Sequence, residues 1–249
     1  MSSATLTPQV DVRRAAERFK TRLGWLDSKH SFSFSRHYDP ANTHHGLLMV
    51  NNDDIVKPGT GFETHPHQDM EIVTWVLEGA LQHRDSMGNG SVIRPGDVQR
   101  MSAGTGVTHS EFNASDRESV HFLQIWIAPS QRGLKPSYEQ ISVAAADLRG
   151  QFRLVASPDG RDGSVTVHQD AELYVGAPES GGELVHALPA VRHAWLQVAR
   201  GAVRLNGHAL TAGDGASVSD ERRLEISARE PSEVLLFSLG SSFRRSLAS

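Results

Sequence analysis

Two stretches of this chain carry the same pattern, and that repeat narrows its architecture more than any other feature. Val76-Leu77-Glu78-Gly79-Ala80-Leu81 reads like Val198-Ala199-Arg200-Gly201-Ala202-Val203. Downstream, Arg94-Pro95-Gly96-Asp97-Val98 matches Thr211-Ala212-Gly213-Asp214-Gly215. Each copy reads as a strand, a glycine turn, a hairpin and a tight Gly-Asp turn into the next strand. Short β-branched or aromatic runs recur along the chain, as at Gly46 to Asn51, Glu71 to Leu77 and His121 to Ala128, punctuated by Gly, Pro, Asn and Asp. The expectation is an all-β chain of two duplicated barrels packed together. Val12 to Leu23 fits a short helix or equally an extended edge.

Ser130-Gln131-Arg132-Gly133 has linker composition, which divides the chain into a flexible tail (1–10), a first domain (11–132) and a second (133–249). The chain has no cysteine, which removes disulfides, thiolate metal sites and thiol nucleophiles. A net charge of -4 leaves no basic field for direct nucleic-acid binding. The basic cluster Arg13, Arg14, Arg18, Lys20 and Arg22 reads as a solvated edge. No run of eighteen apolar residues offers a membrane span, and Met1 to Pro8 has no apolar signal-peptide core. A cytoplasmic monomer is expected, because two fused barrels can cover one another's exposed sheet faces.

Thirteen histidines are the compositional oddity, and they call for a search for metal ligands. His65 and His67 stand at i, i+2, so on a strand both rings project to one face. Alone the pair is weak, since roughly 0.7 such pairs are expected by chance. His109 and Glu111 repeat the spacing, separated from the first pair by enough strand and turn to cross a barrel and return. The duplicate supplies a control: the offsets that place His65 and His67 before Gly79 give Ala187 and Pro189 before Gly201. Arg222, Arg223 and Leu224 fill the stretch where a second His109 would stand. Three imidazoles and a carboxylate suit one divalent transition ion, Fe first, with Mn, Ni, Cu, Co or Zn also matched by the donor set. Glu71 is a rival to Glu111 as ligand, or an acceptor supporting a ligand histidine. Glu111 is favoured, because it shares a face with His109. The remaining histidines, His83 among them, have no partner at ligand spacing and read as core or surface residues. The tryptophans read as core.

His65-Pro66-His67-Gln68-Asp69-Met70-Glu71 and Met101-Ser102-Ala103-Gly104-Thr105-Gly106-Val107-Thr108-His109-Ser110-Glu111 resemble the pirin family. Gly24-Trp25-Leu26-Asp27, Asp85-Ser86-Met87-Gly88-Asn89, Gln124-Ile125-Trp126-Ile127 and, in the second half, His168-Gln169-Asp170 extend that resemblance over nearly the whole chain. It implies two cupin-type (jelly-roll) barrels, a bicupin, with one metal in the first held by His65, His67, His109 and Glu111. The general cupin pattern uses the glutamate of its first motif, here Glu71, as a ligand. The resemblance further implies a dioxygenase that opens a flavonol such as quercetin with O2 and releases CO, with Glu111 accepting the substrate's hydroxyl proton. The competing class is a non-catalytic, metal- or redox-responsive regulator acting through a protein partner.

Overall fold

The computed structural model describes residues 9–240. Met1 to Pro8 of the expected tail therefore lie outside the described residues, as do residues 241–249.

The first barrel is a sandwich of a seven-stranded and a four-stranded sheet. The larger sheet runs in the order Ser137–Ser142, Asp97–Ser102, Glu71–Glu78, Val120–Ile127, Leu48–Val56, Leu26–His30 and Phe19–Arg22. The smaller runs Gly61–His67, Val107–Asn113, Leu81–Asp85 and Gly90–Ile93. The second barrel repeats the plan. Its larger sheet runs Gln9–Arg13, Gly215–Ser219, His193–Arg200, Glu233–Leu239, Ala171–Gly176, Arg153–Ser157 and Val165–Thr166. Its smaller sheet runs Glu183–Ala187, Arg223–Ala228, Ala202–Leu205 and His208–Thr211. This is the two-barrel plan expected from the repeat, in the bicupin form that the resemblance implies.

The repeated glycines have one cause. Gly79 and Gly201 adopt φ of +75° and +76°, and a Cβ on them would lie 2.6 Å from the Ser119 carbonyl oxygen and 2.5 Å from that of Pro231, respectively. Only glycine fits a left-handed turn packed that closely.

Two strands cross the division drawn from linker composition. Gln9–Arg13 pairs with Gly215–Ser219, so residues expected in the tail and first domain build the second barrel. Ser137–Ser142 pairs with Asp97–Ser102, so a segment expected in the second domain closes the first. Each exchange covers a sheet edge that would otherwise expose unpaired backbone groups. Val12 to Leu23 takes its extended alternative, two strands around one 3-10 turn at Ala15–Glu17.

Alternation along Glu71–Glu78 separates two environments. Val73, Trp75 and Leu77 join a large buried cluster with Leu173, Trp195, Leu235 and Phe237 of the second barrel. Ile72, Thr74 and Val76 point the other way, into the first barrel. Its closed end is plugged by Leu26, Val56, Val76, Leu81, Ile93 and Phe122. The interface also holds a charge: Arg18 donates to Asp53 Oδ2 at 3.2 Å and to the Asn51 and Gly213 carbonyls, each at 3.2 Å. Gly213 belongs to the second barrel, so this guanidinium ties the two together.

Candidate metal centre

Above the apolar plug, the interior of the first barrel becomes polar. His65 and His67 lie on Gly61–His67, which pairs with Val107–Asn113 so that His65 stands opposite His109. Ring centroids are 4.4 Å apart for His65 and His109, and 4.9 Å for both His67 pairs. Ligand nitrogens of all three lie within 4.8 Å of one another. Glu111, next inward on the same face, forms a second such group with His109 and His83. Among the described residues these two overlapping groups are the ones with metal-ligating geometry. Both lie in the first barrel.

His65 donates from Nδ1 to the Glu63 carbonyl at 2.7 Å, which in the neutral ring leaves Nε2 a lone pair. That nitrogen faces His109 Nε2 at 3.0 Å. Two imidazole nitrogens about 2.1 Å from one ion and at right angles to each other also stand about 3 Å apart. Glu111 is 2% exposed, yet its Oε1 has no hydrogen-bond partner. A buried carboxylate oxygen without a donor calls for a cation or a ligand's proton. The donor set and this free oxygen fit a divalent ion.

The electrostatics agree. Burial, then the neighbouring histidines, lower His67 to about 4 and His109 to about 3. Both rings are therefore neutral near pH 7 with a nitrogen lone pair to offer, the form that binds metal. Glu111 is held from behind: Gln124 Nε2 donates to its Oε2 at 2.8 Å, and Thr74 Oγ1 donates to Gln124 Oε1 at 3.0 Å. Asp54 lies in the same interior, hydrogen-bonded by Ser28. Burial, aided by Asp53 and Glu111, raises its carboxyl to about 7.

Pairing register shows what this polar layer replaces. In the first barrel Glu111 pairs with His83 and Gln124 with Thr74. At the matching places of the second barrel Ile226 pairs with Leu205, and Leu236 with Leu196. All four belong to that barrel's hydrocarbon core. The fold does not need the polar set.

Glu71, the alternative to the favoured Glu111, shares its face with Val73 and Trp75, away from the histidine cluster, and its hydrogen bonds go elsewhere. Its Oε2 accepts from Ser102 Oγ at 2.8 Å, from the His168 backbone N–H at 3.1 Å and from His168 Nδ1 at 3.2 Å. It anchors the second barrel. His83 departs from its reading as a histidine without a partner: it is fully buried beside His109, with ring centroids 5.3 Å apart, and groups with His109 and Glu111. The signal was present, since His83 and Asp85 form a third i, i+2 pair. Trp126, read as core, is half-buried and stands edge-on to His67 at 4.9 Å and to Phe34 at 5.5 Å.

Two cupin barrels, one lined by a His/Glu cluster and one filled with hydrocarbon, define a metal-dependent bicupin. A family model described as Pirin matches residues 10–127, and one described as the quercetinase C-terminal cupin domain matches residues 154–239. The chain belongs to the pirin family. It is 49% identical over 228 residues to a quercetin 2,3-dioxygenase of Escherichia coli, covering 92% of this chain and 97% of that protein. It is 48% identical over 236 residues to a putative quercetin 2,3-dioxygenase of Mycobacterium tuberculosis, covering 94% and 96%. The crystal structure of the bacterial pirin YhhW from Escherichia coli in complex with nickel(II) superposes with a TM-score of 0.89 at 47% identity, covering 94% of this chain and 100% of that one.

Proposed function

We propose that this chain is a metal-dependent dioxygenase that opens a flavonol of the quercetin type with O2 and releases CO. His65, His67, His109 and Glu111 hold the ion. The observation that carries the reading is the gathering of His65, His67 and His109 ligand nitrogens within 4.8 Å of one another, with the buried carboxylate of Glu111, its Oε1 unengaged, grouped against His109. A bound divalent ion supplies Lewis acidity that lowers the pKa of a coordinated hydroxyl. Glu111 accepts the proton of the flavonol 3-hydroxyl while staying at or near the ion, and Gln124 keeps the carboxylate from rotating away. The Trp126 ring beside His67, with Phe34 edge-on to it, offers an apolar wall for a flat aromatic substrate. The names of the relatives point to the same substrate class, and the nickel complex of YhhW makes Ni(II), with Fe(II), the ions to load first.

The test measures bound metal, aerobic quercetin loss and CO release for the parent and for His109→Ala. Metal-dependent turnover with stoichiometric CO, abolished in the variant, is expected. Full metal occupancy without turnover under any divalent ion would overturn the reaction, and undiminished activity of His109→Ala would overturn the site.

A further inference from the structure

His83 and Asp85 take no part in the ligand set proposed above, yet both side chains are completely buried against it. Asp85 opens the turn Asp85-Ser86-Met87-Gly88-Asn89, which wraps the carboxylate in donors. Oδ1 accepts the backbone N–H groups of Met87 at 2.9 Å and Asn89 at 3.0 Å, and Oδ2 accepts Asn89 Nδ2 at 2.9 Å. Burial alone would raise this carboxyl, but hydrogen bonds from Asn89 and His83 outweigh it and hold it below its ordinary value. It is an anion, and so an acceptor only.

That fixes the next ring. His83 Nε2 lies 3.1 Å from Asp85 Oδ2, an acceptor only, so this nitrogen carries a proton, and in the neutral ring Nδ1 is then an acceptor. Two groups face this nitrogen, Gln99 Nε2 and His109 Nδ1, each at 3.5 Å, and each can donate N–H. When His109 donates from Nδ1, its Nε2 is a lone pair, and Nε2 is the nitrogen that faces His65. Tyr138 stacks on His83 at 5.0 Å and holds its plane.

The second barrel shows that the fold does not require this arrangement. Leu205 occupies the place of His83, and its strand turns to His208 through Asn206 and Gly207 alone. A two-residue Asn-Gly turn makes a complete hairpin. The longer Asp85–Asn89 turn adds a buried carboxylate aimed at His83.

We infer that Asp85 and His83 are positioning residues: a carboxylate–imidazole relay that sets the tautomer and orientation of His109 and strengthens its Nε2 as a metal donor. The inference rests on the metal site proposed above. Partners of this kind commonly change metal affinity about 10- to 100-fold.

Two measurements test it. In the metal-free protein, 15N NMR of the histidine side chains should show His83 protonated on Nε2; protonation on Nδ1 would overturn the relay whether or not metal binds. Ni(II) affinity, measured by competition with a chelator, should fall about 10- to 100-fold in His83→Leu, which copies the second barrel, and in Asp85→Asn. His83→Asn, which restores an acceptor oxygen near the place of Nδ1, should recover much of that loss. Unchanged affinity in both His83→Leu and Asp85→Asn would overturn the relay. In the Cu(II)-loaded protein, EPR nitrogen couplings should count the same imidazoles in parent and His83→Leu. One fewer would make His83 a ligand and overturn its positioning role. A parent that takes up no divalent metal would instead overturn the proposed function, with the NMR result still deciding the relay.

Discussion

Gln124 donates to Glu111 Oε2 at 2.8 Å, so one oxygen of a buried carboxylate is held and the other is left open. The pair assigns separate work to two oxygens of one residue. Gln124→Leu, the residue found at the matching place in the second barrel, should keep the fold and loosen Glu111. Loss of this charge-assisted hydrogen bond is worth about 1.5–3 kcal/mol. Turnover is expected to fall at least about tenfold while the metal content of purified protein stays near that of the parent. Glu111→Gln should lower both. Metal analysis alongside steady-state kinetics separates the two outcomes.

Glu71→Ala should behave in the opposite manner. It leaves Ser102 and the His168 N–H without their acceptor at the barrel interface, at a cost of about 2–3 kcal/mol. Denaturant unfolding should register that loss. Metal affinity should stay within about twofold of the parent, because the residue faces away from the histidines. A large drop in affinity would place Glu71 in the ligand set.

Asp54 predicts a pH dependence of stability. Its carboxyl is raised from 3.8 to about 7, so the folded chain holds a proton that the unfolded chain has released. Its contribution is fully present below the unfolded pKa and is lost as pH rises towards the folded value. At about 1.4 kcal/mol per pKa unit, the change is on the order of 4 kcal/mol. The stability difference, parent minus Asp54→Asn, should therefore fall between roughly pH 4 and 7 and be flat above. Unfolding curves of both proteins across that range provide the check. A difference that rises with pH would contradict the assignment.

Arg18 is a buried cation whose partners come from both barrels. Asp53→Ala removes its counter-charge and should destabilise the protein by about 3–5 kcal/mol, since the guanidinium stays buried and uncompensated. Asp53→Asn, which keeps an acceptor oxygen, should cost less. Thermal unfolding of the two variants at equal pH distinguishes charge from hydrogen bonding.

The sequence by itself determined the two-barrel plan, the family and the first ring of candidate ligands, because each is written in short-range pattern. Glycine forces the turn at Gly79 and again at Gly201, and i, i+2 spacing commits His65 with His67, and His109 with Glu111, to common faces. Alternation says only that neighbours on a strand face opposite ways; it does not say which way is in. That is why Glu71 remained a rival until packing turned it towards His168, and why His83 looked solitary until the barrel closed it against His109. The exchanged strands were hidden for a related reason, since linker composition is local while pairing between Gln9–Arg13 and Gly215–Ser219 spans almost the whole chain. Only the tertiary structure brings together groups so far apart, and only there does the open oxygen of Glu111 acquire chemical meaning.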